Sequence, residues 1–313
     1  MTGHGRAGRP GEPKEPAAPA GPAESAAHDG HAEDGDPVCW LDHVCDACGA
    51  FRENPRSPVC ARCGAAFAGA RAAPAATALT APRPGSGTAA VEAPQTVLVF
   101  TATAGYRHDS IPAGVAALRE LAASRGLSVL HSEDPRDLRP GRLDGCAAVV
   151  FLSPTGDVLD DGARASLRGY VTGGGGLLGV HAAACAEYGW PYYGELLGAR
   201  FDGHPEIQRA AVTAVDRAHP ATAHLPEEWV WTDEWYDFRE GPAGRDVRVL
   251  ATVDEDTYQG GGMGAPHPLV WCREPGEGRV LYTALGHLAS AYSDPCFRRH
   301  LLGALSWCAR AEG

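Results

Sequence analysis

Gly173-Gly174-Gly175-Gly176-Leu177-Leu178-Gly179-Val180-His181-Ala182-Ala183-Ala184-Cys185 is the stretch whose reading decides the fold. The glycines permit a sharp turn, and the apolar run after them has the length and composition of a buried strand. Ala182 and Ala183, just beyond His181, let the backbone fold back tightly before a helical pattern begins. Strand, sharp turn and helix in this order make an elbow that exposes one side chain at the carboxyl end of a parallel strand. Here that side chain is His181, an imidazole able to bind a metal or move a proton.

Outward from the elbow the chain alternates between short apolar runs and amphipathic ones. Residues 97–100 read as a buried strand, and 111–124 as a helix capped by Asp109 or Ser110, with Pro112 tolerated in its first turn. Strands are expected near 127–131 and 147–152, and helices over 160–170 and 187–197. A region of mixed strands and loops follows, with strands near 210–215, 247–253, 269–272 and 279–283. A last helix runs from Pro295 to about Arg310, with Phe297, Leu301, Leu302 and Leu305 at helical spacing. The pattern predicts an α/β fold whose parallel sheet is covered on both faces and binds ligands at the carboxyl ends of its strands.

The first 94 residues differ in kind. Residues 1–37 are rich in Gly, Pro, Ala and Glu with almost no apolar periodicity, a composition expected to stay disordered. Within 38–68, Cys45-Asp46-Ala47-Cys48-Gly49 and Cys60-Ala61-Arg62-Cys63-Gly64 are two C-x-x-C-G knuckles. Four thiolates at that spacing predict a tetrahedral zinc site of the ribbon type, closed and therefore structural or for docking a protein partner. Residues 69–94 read as an Ala/Pro-rich linker to a main domain over 95–313.

A formal charge of −12 with no run of basic residues argues against nucleic acid and anionic membranes as partners. No stretch has the roughly 18 apolar residues that span a bilayer, and the N-terminal segment lacks the apolar centre of a secretion signal. A cytoplasmic location is expected.

Histidines at element ends are the first candidates for chemistry, because loops after parallel strands converge. His108, His181, His204, His267 and His287 sit in such places, and His181, His204 and His287 each follow a glycine within two residues. With a carboxylate from Asp233 or Glu234 they could hold a divalent ion. Tyr236, Trp235, Trp190, Tyr192 and Tyr193 add flat rings with polar edges around the same loops, a combination that suits a carbohydrate.

Several segments together resemble the ThuA-like (trehalose utilisation) family over residues 95–310. They are Thr103-Ala104-Gly105-Tyr106-Arg107-His108-Asp109-Ser110-Ile111, Gly179-Val180-His181-Ala182, Tyr188-Gly189-Trp190-Pro191-Tyr192-Tyr193-Gly194, Gly203-His204-Pro205, Thr232-Asp233-Glu234-Trp235-Tyr236, Met263-Gly264-Ala265-Pro266-His267-Pro268 and Tyr282-Thr283-Ala284-Leu285-Gly286-His287. The resemblance implies a flavodoxin-like, class I glutamine amidotransferase-like three-layer fold. In the related amidotransferases a cysteine occupies the elbow; His181 stands there in this chain, and Ala289 stands where a glutamate would assist, so glutamine hydrolysis is not expected. The resemblance also implies a role in the metabolism of disaccharides, through keto-sugar intermediates.

Two functions follow as expectations. In the first, an enzyme acts on a disaccharide, glycoside or keto-sugar with His181, His108, Glu234 and His287 as catalytic candidates. Tyr106, Arg107, Trp190, Asp233, Tyr236 and His267 would bind substrate, and zinc or manganese would sit on His181, His204 and His287. Hydrolysis, elimination and isomerisation stay open. In the second, a noncatalytic carbohydrate-binding adaptor uses the zinc ribbon to dock a partner. Members of this fold often pair, which leaves a homodimer open.

Overall fold

The chain enters the fold through β1 (Thr96–Phe100), whose side chains past Thr96 are all buried, as a central parallel strand requires. Helix α1 (Ile111–Ala123) returns the chain to β2 (Ser128–Ser132). Its buried face is Ile111, Val115, Leu118 and Leu121, spaced three or four residues apart. Strand β3 (Cys146–Leu152), helix α2 (Asp161–Thr172) and strand β4 (Gly176–Val180) repeat the unit. Asp160 caps α2 by accepting from the Ala163 N–H at 2.8 Å. The structure is a computed structural model, which describes residues 95–242 and 246–311. Cys45, Cys48, Cys60 and Cys63, with the tail and the linker, lie outside the described residues.

After β4 come a short 3-10 turn (His181–Cys185), helix α3 (Pro191–Leu197), and strands β5 (Arg200–Gly203), β6 (Gln208–Ala214), β7 (Glu228–Asp233) and β8 (Asp237–Glu240). Strands β9 (Arg248–Val253), β10 (His267–Arg273) and β11 (Arg279–Thr283) precede the final helix α4 (Pro295–Cys308). Asp294 caps α4, accepting from the N–H groups of Cys296 and Phe297 at 2.8 and 2.9 Å.

Among the described residues nine strands form one sheet in the order β2-β1-β3-β4-β11-β10-β9-β6-β7, while β5 and β8 pair separately. Strands β2, β1, β3, β4 and β11 run parallel; β10, β9, β6 and β7 continue the sheet in antiparallel fashion. The α/β class is as the sequence predicts, and the large sheet is parallel through its centre. Helices α1 and α4 pack together. On α2, Arg168 lies over the Tyr192 ring of α3, 3.9 Å from its centroid. Crossovers that leave β1 in one direction and β3 in the other put α1 and α2 on opposite faces of the sheet. A β-carbon at Gly176 would sit on the Cys308 carbonyl, so this glycine lets α4 close onto β4.

The helix predicted over 187–197 begins only at Pro191. Glu187 adopts φ 57°, a left-handed conformation that cannot propagate an α-helix, and Pro191 fixes the first turn. Among the described residues no helix is long and apolar enough to cross a membrane.

Candidate active site

His181 leaves β4 with φ 50°, an unusual backbone conformation for a residue with a β-carbon, and its side chain is fully buried. The strained turn is what an elbow needs in order to aim one side chain away from the strand. Neighbouring Ser153, at the end of β3, has φ 49° and bonds through its N–H to the Val180 carbonyl at 3.1 Å. Two adjacent strands thus end in the same sharp turn.

The ring of His181 is held from both sides. Its Nδ1 lies 2.8 Å from the Ala284 carbonyl, which can only accept, so Nδ1 carries the proton and the Nε2 lone pair faces inward. The Tyr236 hydroxyl donates to that Nε2 at 2.9 Å. His287 Nδ1 stands 3.3 Å from it and Glu234 Oε2 3.4 Å. His108 meets the rings of His181 and His287 edge-on, with centroids 4.8 and 5.3 Å apart. One ligand atom from each of His108, His181, Glu234 and His287 lies within 4.8 Å of all the others.

Glu234 is the hub. Its Oε2 accepts from His287 Nδ1 at 3.0 Å, and His204 Nε2 stands 3.5 Å from Oε1. Burial pushes this carboxyl up, but the hydrogen bond from His287 and the charge that ring carries when protonated outweigh it and hold Glu234 well below the usual carboxylate range. The same bond to Glu234 raises His287, against a smaller opposing effect of burial. His108 goes the other way: burial and then the neighbouring His181 and His287 lower it to about 3, so its ring is neutral. Its Nδ1 is buried without a hydrogen-bond partner.

Two buried carboxylates fix the loops that carry these groups. Asp233 receives four donors: the N–H groups of Glu234 and His287 on Oδ1, both at 3.0 Å, and the Gly286 N–H and Trp231 indole on Oδ2 at 2.9 and 3.0 Å. Gly286 takes φ 118°, which only glycine adopts readily, and this turn presents His287. Glu187 accepts from the N–H groups of Val158 and Leu159 at 2.7 and 2.8 Å and pairs with Arg164 at 2.7 Å, tying the exit of β3 to the turn after β4. Replacing the fully buried Glu187 by alanine strands these donors and is expected to cost about 3 kcal/mol, read as a lower midpoint of thermal unfolding.

A cleft of about 550 Å³ opens over the cluster. Tyr106, His108, His204, Glu234 and Tyr236 line it, together with Cys185 and Tyr188 from the quoted segments and with Thr155 and Phe201, whose part in the wall no sequence motif signalled. Burial pushes the Cys185 thiol up to about 12, which keeps it protonated and a poor nucleophile.

Four of the proposed substrate-binding residues sit elsewhere. Asp233 spends its oxygens on the loop just described. Arg107 pairs with Glu133 at 2.6 Å. Trp190 packs on Tyr192 and Tyr193. His267 is fully buried behind the site, with Nε2 2.9 Å from the Tyr236 carbonyl and Nδ1 2.8 Å from Glu255. In the ligand cluster His108 takes the place expected for His204, which faces the other oxygen of Glu234 from a half-exposed position on the loop after β5.

Solved structures share this fold. A ThuA-like protein from Bacteroides uniformis superposes with a TM-score of 0.59 at 22% identity, over 72% of this chain and 95% of its own. A ThuA-like protein from Parabacteroides merdae gives 0.57 at 23% identity, over 69% and 90%. No curated protein matches the chain. The ThuA family, described as trehalose utilisation, matches residues 96–308, from the first strand to the end of α4. Since that match takes in well over half of the sequence, the chain belongs to the ThuA family of trehalose utilisation.

Proposed function

We propose that the cleft is the active site of a carbohydrate enzyme that works on a glycoside, disaccharide or keto-sugar, with a divalent ion held by His108, His181, His287 and Glu234. The observation that carries this reading is the convergence of three imidazoles on one carboxylate, with the Nδ1 of His108 buried and unpartnered. The donor set fits a borderline ion such as zinc or manganese. His181 has the further feature of a metal ligand whose other ring nitrogen donates to a carbonyl and so fixes the tautomer. When bound, such an ion polarises a carbonyl or hydroxyl oxygen.

The chain's own residues supply orientation and protons. Ala284 holds the His181 ring through Nδ1, an ion at Nε2 would displace the Tyr236 hydroxyl from that lone pair, and the Asp233 bonds to Gly286 and His287 fix the loop opposite. Glu234 keeps a negative charge at the floor of the cleft, and His204, which faces its other oxygen and is not one of the four ligands, can take a proton from a sugar hydroxyl there. His204, on the open side of Glu234, is placed to pass that proton to solvent.

Metal content of the full-length protein tests the reading. His181→Ala and His108→Ala are each expected to lose one equivalent relative to the unchanged chain while the four-cysteine segment keeps its own. Equal metal content in all three proteins would overturn the ion.

A further inference from the structure

Resting on the carbohydrate reading, we infer that the cleft selects a glycoside with a flat, apolar aglycone over a disaccharide, and that Tyr106 is the residue that makes the choice. The polar and apolar parts of the cleft are segregated. Side chains able to bond sugar hydroxyls, His108, His204 and Glu234, are gathered at the cluster. Beyond them the wall is Tyr106, Tyr188 and Phe201, and the polar atoms around it are largely committed.

Thr155 Oγ1 donates to the Tyr106 carbonyl at 2.8 Å and accepts from the Gly105 N–H at 3.3 Å. The Tyr188 hydroxyl donates to the Phe201 carbonyl at 2.9 Å. The Tyr236 hydroxyl is turned to His181. A second sugar ring lodged here would surrender the water around several hydroxyls and find few replacements, at a cost for each unpaired group. An aromatic or comparably flat apolar group makes no such demand. Tyr106 is 66% exposed, which leaves ring surface open to a ligand, and it stands at right angles to the His108 ring, with centroids 4.8 Å apart. Stacking there comes in addition to the area buried. Phe201 backs the other wall through the Tyr236 ring at 4.4 Å.

Binding of phenyl glucoside, methyl glucoside and trehalose, each in both anomeric series where they exist, to the full-length protein by calorimetry is the test. The expected result is at least about tenfold tighter binding of a phenyl glucoside than of methyl glucoside or trehalose. Tyr106→Ala should bring the phenyl-to-methyl ratio close to one, and Tyr106→Phe should keep it. Because Tyr106 is mostly exposed, neither substitution should unfold the protein, which circular dichroism checks. Trehalose binding as tightly as the phenyl glucoside, or a ratio untouched in Tyr106→Ala, overturns the inference and leaves the carbohydrate reading standing. If none of the sugars binds, the carbohydrate reading falls and the aglycone preference with it.

Discussion

Asp233→Ala is expected to destabilise the main domain by about 4 kcal/mol or more, measured by urea denaturation, and to abolish ligand binding in the cleft. The carboxylate is fully buried and accepts four hydrogen bonds, three from backbone N–H groups and one from an indole. Bonds to a charged acceptor contribute about 1.5–3 kcal/mol each, and every donor left unpaired in the interior adds a penalty. Alanine removes the acceptor and keeps all four donors. Asp233→Asn retains one acceptor oxygen and should lose roughly half as much. The functional loss has a separate cause: without the Asp233 carboxylate, the Gly286–His287 turn is no longer tied to Glu234, and the pair at the floor of the cleft comes apart. A loss below about 1 kcal/mol for Asp233→Ala would show that the loops are held by something else.

The second large effect is acid unfolding. His300 is fully buried with Nδ1 on the Ala221 carbonyl at 2.9 Å and Nε2 at 3.1 Å from the Thr283 hydroxyl, a pair that the neutral ring satisfies. Burial lowers it to about 4. His219 accepts the Ala221 N–H on Nδ1 at 3.2 Å, its Nε2 is buried without a partner, and burial, then Arg248, lowers it to about 4. His108 is lowered to about 3. In the unfolded chain all three take up a proton near pH 6.5. Their stabilising effect is therefore complete above that value and is lost as the pH falls from about 6.5 toward the folded-state values. Each proton costs about 1.4 kcal/mol per pH unit, on the order of 3 kcal/mol per histidine by pH 4.

Three such groups approach the whole stability of an ordinary domain, so a cooperative acid transition is expected between about pH 4 and 5. His287 works in the opposite sense, since its pKa is raised: its contribution is present below the unfolded value and fades as the pH rises through the folded one. Circular dichroism against pH, compared with His300→Gln, checks the assignment. The variant should show a shallower transition, displaced to lower pH relative to its own stability at pH 7. An unchanged slope would remove His300 from the account.

Sequence by itself determined the alternating strands and helices from Thr96 to Val180 and the elbow at His181, because these rest on local rules: apolar runs, caps, glycines, and a residue whose neighbours are small enough for a tight turn. The candidate histidines were legible for the same reason, as side chains placed at the ends of elements. What local rules do not carry is which ends meet. Strands β10, β9 and β6 read as strands while β7 did not, and their antiparallel order depends on pairings between residues far apart in the chain, such as Gln208 with Asp233 and Val212 with Val253. That order brings Glu234, at the end of β7, to His181 and His287, while His108 joins them from the loop after β1.

The acidic pair Asp233-Glu234 shows the difference most directly. Two adjacent carboxylates look alike in sequence, yet one is consumed by four donors of its surroundings and the other meets imidazoles in the cleft. Glu187 gave no signal at all, since a glutamate before a helix is ordinary until its partners Val158, Leu159 and Arg164 arrive from another element. Residue types and spacing set what chemistry the chain can do. Only tertiary structure, by bringing distant groups within hydrogen-bonding reach and excluding water around them, decided which residues are free to do it.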